Sequence, residues 1–382
     1  MLYRKLGSTG INVSILGFGV MRLPLDGNGA IDQDKSSSML KFAIENGLNY
    51  IDTAFPYHDG QSEIFLGNFF ERYPELKKKV YISTKLPTWL INRPEDMDYY
   101  LKRQMENLKV DKIDFYLLHS LNKDYWKNLM KFNVLDFLDS AVAEGKINYT
   151  GFSFHDEFDI FLEILDSYSW DVCQIQFNFM DENYQAGREG LRYAASQGLG
   201  TIIMEPLRGG CLTRNIPEDI MEIWEMADEP KKPVEWALQY VWDYPETNVV
   251  LSGMSSFSQV QENMKLASKA QASSLTKNDY EIIKEVRRSY REKIVIDCTS
   301  CGYCMPCPEG VDIPKNFNIY NTYKMFDDDN GIKTHYHGLL KENQRASQCK
   351  EMEACGKCNN ICPQMIPIPQ TLQKVKKAFE KR

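Results

Sequence analysis

Four side chains in the first 119 residues have the chemistry to move a proton together. Asp52 closes a short apolar run. Tyr57 stands five residues later, in Asp52-Thr-Ala-Phe-Pro-Tyr57-His-Asp-Gly60-Gln-Ser62-Glu63-Ile-Phe-Leu-Gly67. Lys85 follows Ser83-Thr84, and His119 follows Tyr116-Leu-Leu. A phenol with its ordinary pKa of about 10 is a poor acid at neutral pH. A neighbouring ammonium favours the phenolate and lowers that value, and a carboxylate holds the ammonium in place. Such a phenol can protonate a developing alkoxide, while a neutral imidazole hydrogen-bonds the same oxygen and orients the carbonyl. What the set lacks is a hydride donor, which no side chain supplies and a nicotinamide does. Each residue also has an ordinary reading: Lys85 as a solvated cation, His119 as a cap or core residue. The stretch after Asp52 also reads as a helix N-terminus capped by Asp59 or Ser62, with Glu63 favouring the dipole.

These residues need a frame that brings them to one place. Apolar strand candidates lie at 15–18, 48–51, 80–83, 113–118, 147–152, 172–175, 201–204 and 248–251. Helical spacing fills the intervals at 36–45, 62–70, 94–108, 134–144, 157–167, 186–197, 233–242 and 256–267. Gly7-Ser-Thr-Gly10, flanked by Leu2-Tyr-Arg-Lys-Leu6 and Ile11-Asn-Val-Ser14, reads as a hairpin ahead of the first pair. Strands alternating with helices give a parallel sheet with right-handed crossovers, and eight repeats fit a closed (β/α)8 barrel. An open doubly wound sheet competes, but its Gly-x-Gly-x-x-Gly turn is absent; Gly17-Phe-Gly19 lacks the third glycine. In the barrel, Asp52, Lys85 and His119 end consecutive strands at the carboxyl rim, where barrels place their chemistry, with Tyr57 just beyond the first of them.

The chain has 382 residues, net charge −8, 43% hydrophobic and 26% charged residues, the balance of a soluble globular protein of about two domains. The acidic balance argues against nucleic acid as a partner. No window is long and apolar enough for a membrane helix, and Met1-Leu-Tyr-Arg-Lys does not open a signal peptide, so a cytoplasmic location is expected. Of ten cysteines, Cys173 and Cys211 stand apart and eight fall between Cys298 and Cys362. A disulfide framework belongs in small secreted chains, so metal or cluster ligation in a reducing compartment is the better reading.

The segment Asp52-Thr-Ala-x-x-Tyr57-x-x-Gly60-x-Ser62-Glu63, with Lys85 and His119 at later strand ends, resembles the aldo-keto reductase family over residues 1 to about 268. The resemblance implies that Tyr57 is the proton donor, that Lys85 and Asp52 tune it, and that His119 positions a small carbonyl or alcohol substrate. It implies an NADPH or NADH cofactor extended across the barrel mouth. Ser153 and Gln174 look like the residues that hold the carboxamide, although Phe154 stands where asparagine is common. Pro206, Leu207 and Arg208 look like the pyrophosphate loop. Gly253, Gln259, Glu262 and Asn263 look like the adenosine end. NADPH-preferring relatives often carry Lys and Arg where Gly253 and Gln259 stand, so NADH stays open and Arg208 is a remaining cation for the cofactor.

The C-terminal part reads as a connector helix at 271–293 and a small domain at 294–382, after a barrel at 1–270. Cys298-x2-Cys301-x2-Cys304-x2-Cys307-Pro and Cys349-x5-Cys355-x2-Cys358-x3-Cys362-Pro are internally related, since both run on to Ile-Pro, at Pro314 and Pro369. Separated pairs would suit zinc; this run instead resembles a helical two-cluster ferredoxin-like domain, and the whole looks like an iron–sulfur branch of aldo-keto reductases. By that likeness Cys298, Cys301, Cys304 and Cys362 hold one [4Fe–4S] cluster, and Cys307, Cys349, Cys355 and Cys358 the second. Met352 stands where a cysteine is usual, so the second site is complete if the longer loop lets Cys349 reach, and three-iron or altered otherwise. The clusters would be structural or serve a redox partner protein, which gives a second functional reading beside carbonyl reduction. A third is a nucleotide-binding regulatory barrel. An acidic run at 327–330 reads as a solvated turn, and His335 and His337 as surface residues.

Overall fold

The computed structural model describes residues 1–210, 212–214, 216–326, 331–350, 358 and 360–380, so that Cys211, Met352, Cys355 and the acidic run at 327–330 lie outside the described residues. The chain divides into two compact units, Met1–Pro206 with Glu235–Leu275, and Leu207–Val234 with Thr276–Arg382. No helix among the described residues is long and apolar enough to cross a membrane.

In the first unit an antiparallel hairpin, β1 (Tyr3–Lys5) and β2 (Asn12–Ser14), precedes eight strands: β3 (Leu16–Gly19), β4 (Tyr50–Asp52), β5 (Tyr81–Leu86), β6 (Ile113–Leu121), β7 (Ile147–Phe154), β8 (Val172–Gln176), β9 (Gly200–Met204) and β10 (Val249–Ser252). All eight pair in parallel and close into the expected barrel, β10 lying between β9 and β3. Strand residues alternate between the two faces of a sheet. Tyr50, Phe115, Leu117, Val172, Ile202, Val249 and Leu251 form one buried cluster with Leu6 and Val13, so the barrel interior is packed solid with its hairpin. One further step of two along each strand places Asp52 after Tyr50, His119 after Leu117 and Gln174 after Val172, above that packing and on the same face.

Two outer helices matter for the site. Gln61–Arg72 follows β4, and Glu95–Leu108 follows β5. They approach closely at Gly67, where a Cβ would stand 2.2 Å from the Asn107 carbonyl oxygen, so only glycine fits. The N-cap of the first helix is Gly60, in a left-handed conformation with no side-chain cap, rather than Asp59 or Ser62. Ser62 Oγ instead bonds Thr53 Oγ1 at 2.8 Å. Asn122 caps a helix, Lys123–Lys131, by accepting from the Tyr125 N–H at 2.8 Å.

In the second unit, Lys277–Lys293 starts from a capping box between Thr276 and Asp279. It packs on the helix Glu218–Glu225, with Lys293 paired to Asp219 at 2.9 Å. Helices Ile313–Phe326, Gly331–Leu339 and Ile368–Phe379 enclose a core that includes Val311, Phe317, Tyr336, Ile366 and Leu372. The sequence duplication has a structural counterpart: one helix begins at Ile313, after Cys307, and another at Ile368, at the same offset from Cys362.

Arg4 ties the hairpin to the barrel wall. Its guanidinium donates to the carbonyls of Trp242, Tyr244 and Thr247 at 2.5, 2.8 and 2.5 Å, covering chain ends just past the helix Pro233–Trp242. Charge-assisted bonds of this kind contribute more than neutral ones, and their loss orphans the acceptors. Arg4→Ala should therefore lower stability by about 2–4 kcal/mol, read from the urea unfolding midpoint, with the slope of the transition unchanged.

Candidate active site

The Lys85 side chain has no exposure. Its Nζ donates to both Asp52 carboxylate oxygens, at 2.7 and 2.8 Å, and to the Thr53 carbonyl at 2.7 Å. The Tyr57 hydroxyl lies 3.5 Å away, and the ammonium sits 5.1 Å from the phenol ring centre. Strand register makes this possible: Asp52 pairs with Ser83 on the neighbouring strand, and Lys85 is two residues further on the same face. Burial pushes the Asp52 carboxyl up and the Lys85 ammonium down, and their mutual attraction opposes both shifts. Filling three ammonium donors with three oxygens favours the ionised pair. Tyr57 is positioned by a tightly turned loop in which His58 and Asp59 take positive φ values of 52° and 53°, ahead of Gly60. The His58 ring accepts from the Leu23 N–H at 3.2 Å and so anchors that loop.

His119 faces Tyr57 edge-on, with ring centres 6.0 Å apart. It is buried, and burial, then the charge of Lys85, then His155 hold its pKa well below the usual histidine value, so the imidazole is neutral. A bulge aims it. Between the pairs Leu118–Phe152 and Leu121–Phe154, His119 and Ser120 stand opposite the single residue Ser153, and Ser120 takes φ 52°. The Ser120 N–H then donates to Ser153 Oγ at 2.7 Å. Bulges of this kind redirect side chains at strand ends. Half-buried Trp89, on the turn Thr88–Leu90, adds an aromatic wall 5.2 Å from the His119 ring centre.

Ser153 pairs in register with Gln174 on β8. The Gln174 amide nitrogen lies 3.6 Å from the Met204 sulfur, and its buried Oε1 has no hydrogen-bond partner. An unsatisfied buried amide oxygen is costly unless something donates to it, and a carboxamide N–H suits that position. Asn263 is buried and donates to Ser252 Oγ at 3.0 Å. Gln259 is exposed and turns its amide oxygen onto the Ser255 N–H at 2.8 Å, while Glu262 is half-buried. A Cβ at Gly253 would meet the stem of Arg22 at 3.1 Å, so a cation that spacing did not reveal reaches this segment from the loop after β3. Pro206 ends the first unit's share of the loop after β9; Leu207 and Arg208 belong to the second. Arg208, nearly fully buried, is committed there to Asp297 at 2.8 Å.

Among the described residues no three His, Cys, Asp or Glu side chains form a group that could hold a metal ion. The cysteines border two pockets instead. Cys298, Cys301, Cys304 and Cys362 line one, with Ile313, Phe317 and Ile366 among its walls. Cys304, Cys307, Cys349 and Cys358 line the other, beside Ile361 and Leu372. A cubane cluster takes its four thiolates at separate corners, so ligands around a pocket suit it better than ligands meeting at one point. Burial first, then nearby Cys298 and Cys362, drive the Cys304 thiol well above its ordinary pKa. Thiols in such a setting would release their protons on binding a metal.

The match to the family model described as "Aldo/keto reductase family" runs over residues 15–288. The chain belongs to that family. It is 27% identical over 310 residues to an L-galactose dehydrogenase of Arabidopsis thaliana, covering 74% of this chain and 92% of the relative. It is 24% identical over 308 residues to an NADH-specific methylglyoxal reductase of Escherichia coli, covering 68% and 91%. In fold it is similar to an aldo-keto reductase of Bacillus halodurans in its holo form, with a TM-score of 0.63 and 24% identity over 75% of this chain and 96% of the other. Oxidoreductase chemistry follows from membership.

Behind Lys85 lie two buried residues to which the sequence assigns no site role, Glu63 and Gln104. Gln104 has no motif; only its place on the inner side of the helix Glu95–Leu108 would have marked it. For the ion pair, removing one partner strands the other charge in the interior. Lys85→Met should cost about 3–5 kcal/mol, measured by chemical denaturation, and adding Asp52→Leu should restore most of the loss. A double variant no more stable than the single one would mean that the carboxylate is not stranded.

Proposed function

We propose that this aldo-keto reductase reduces a small aldehyde or ketone, or oxidises the corresponding alcohol, using NADH or NADPH, with Tyr57 as the proton donor. The observation that carries the reading is the single Lys85 ammonium that touches both Asp52 oxygens and lies 3.5 Å from the Tyr57 hydroxyl. Bound nicotinamide supplies or accepts the hydride. Lys85 stabilises the phenolate form of Tyr57, so the phenol releases its proton to the carbonyl oxygen as charge develops there. Neutral His119 donates a hydrogen bond to the same oxygen and fixes the carbonyl. Ser153 and Gln174 hold the carboxamide, with Gln174 Oε1 as the acceptor that the buried orphan oxygen supports. Pro206 and Leu207 are assigned to the pyrophosphate, and Gly253, Gln259, Glu262 and Asn263 to the adenosine end, with Arg208 held by Asp297. One relative is named a dehydrogenase and the other a reductase, which fits a reaction run in either direction. The NADH named for the second agrees with the lack of Lys or Arg at 253 and 259, while Arg22 beside Gly253 keeps NADPH open.

The C-terminal part is assigned a ferredoxin-like role with two [4Fe–4S] clusters, one on Cys298, Cys301, Cys304 and Cys362, the other on Cys307, Cys349, Cys358 and Cys355. In support, two cysteine-lined pockets have Cys304 in common. That shared wall favours the second reading, in which electrons pass through the pair to a redox partner protein. Cluster electrons move singly and hydride electrons in pairs, so the two chemistries run separately unless a flavin-like intermediary joins them.

Tyr57→Phe should abolish carbonyl reduction while leaving nucleotide affinity unchanged, checked by NADH oxidation and by quenching of protein fluorescence; retained turnover would remove the mechanism. Protein purified without oxygen should carry iron and labile sulfide for two four-iron clusters, with broad visible absorption that neither NADH nor NADPH bleaches. Cys304→Ala should lower that iron content and absorption.

A further inference from the structure

The carboxylate that the proton-delivery set leaves unexplained is Glu63. It has no exposure, and both of its oxygens accept hydrogen bonds. Oε1 accepts from Thr84 Oγ1 and from Gln104 Nε2, both at 2.6 Å, and Oε2 accepts from Asn107 Nδ2 at 3.2 Å. Two amide N–H donors and a hydroxyl meet this carboxyl, a setting that suits the ionised form. Burial pushes its carboxyl up from the usual range, while Thr84, Gln104, Asn107 and then Lys85 pull it back. Gln104 Nε2 also bonds the Lys85 carbonyl oxygen at 3.0 Å, and Gln104 Oε1 accepts from the Tyr116 hydroxyl at 2.8 Å. One amide therefore links the buried carboxylate to the backbone of the lysine that tunes Tyr57. The charged and titratable groups around this carboxylate are Lys85 on β5, Tyr116 on β6, Asp98 on the outer helix near Tyr116, and Asp52 beyond Lys85. Lys85 is the cation among them. The arrangement is built in, because Gly67, one helical turn after Glu63, is what lets the helix carrying Gln104 and Asn107 come so close.

We infer that Glu63, acting through Gln104 and through its own charge, is a positioning residue that holds the Lys85 ammonium protonated and in place for Tyr57. This rests on the proposed role of Tyr57. Lys85 is thus shared by two carboxylates, Asp52 in direct contact and Glu63 in the layer behind. The extra negative charge raises the proton affinity of the ammonium and of the phenol alike. Its removal must lower the pH at which the reactive state, protonated phenol over ammonium, loses its first proton, whichever group loses it.

The experiment is the pH dependence of kcat/KM for reduction of 4-nitrobenzaldehyde and of 9,10-phenanthrenequinone by the full chain. Wild type, Tyr57→Phe, Glu63→Gln and Glu63→Asp are compared, with unfolding midpoints as the check on folding. Glu63→Gln should move the basic limb down by on the order of one pH unit, so activity above the wild-type limb falls about tenfold. Glu63→Asp, which keeps the charge, should hold the limb near its wild-type position even if the plateau falls. Should the amide not be accommodated, Glu63→Met carries no charge at similar length and should give the same downward shift. An unmoved limb in a folded charge-free variant overturns the inference and leaves Tyr57 standing. Turnover that survives Tyr57→Phe, or none with either probe in wild type, overturns the underlying reading instead.

Discussion

The structure depends on keeping one ammonium dry. Lys85 is fully enclosed, and taking its charge and that of Asp52 out of water costs several kcal/mol per ion before any return. The return requires geometry that the rest of the barrel supplies. Adjacent strands in register set Asp52 beside Lys85, and the chain turning out of β4 leaves the Thr53 carbonyl free to accept the third proton. Behind the pair, Thr84, Gln104 and Asn107 stabilise a second anion. In front, Tyr57 is the group on which this charge arrangement can act, and the loop holding it adopts positive φ at His58 and Asp59, a conformation that costs free energy.

Much of this was legible in the sequence because strand periodicity is short and local. Two-residue alternation from Tyr50 to Asp52, from Ser83 to Lys85 and from Leu117 to His119 assigns these side chains to one inner face without any tertiary information. The eight repeats and the closed barrel follow from the same counting. What escaped is what depends on partners distant in sequence. Glu63 looks like a helix-start acid until Gln104 and Asn107, some forty residues on, are seen to enclose it. The His119–Ser120 bulge has no composition of its own; it exists because one strand carries two residues against one of its neighbour. The helix Lys123–Lys131 leaves little periodic signal, because only Trp126 and Leu129 are buried along it.

The cysteine region shows the same division. The duplicated Cys-Pro segments are read from the sequence, and the structure adds that each is followed by a helix start, at Ile313 and at Ile368. Cys349 follows a 3-10 turn, Ala346–Gln348, fixed from outside: the Ala346 N–H donates to the Tyr336 hydroxyl at 3.1 Å, and the Ser347 N–H to Glu380 at 3.1 Å. Its place beside Cys307 and Cys358 comes from the framework formed by Tyr336 and the end of the last helix.

The excursion from Leu207 to Val234 has a consequence for how this protein can be taken apart. Trp224 and Ile220 on that segment are buried in the second unit, where their helix packs on Lys277–Lys293, yet the chain must come back at Glu235 to make the last barrel strand. Neither unit is therefore a continuous stretch of polypeptide. A cut placed after the barrel's final helix would not release a finished enzyme from a removable appendage; it would leave a tryptophan-bearing loop without its packing partner in the middle of the barrel's own sequence. The two parts are modules by contact but not by chain, and synthesis from the N-terminus must carry the 207–234 loop unsatisfied until the C-terminal segment emerges.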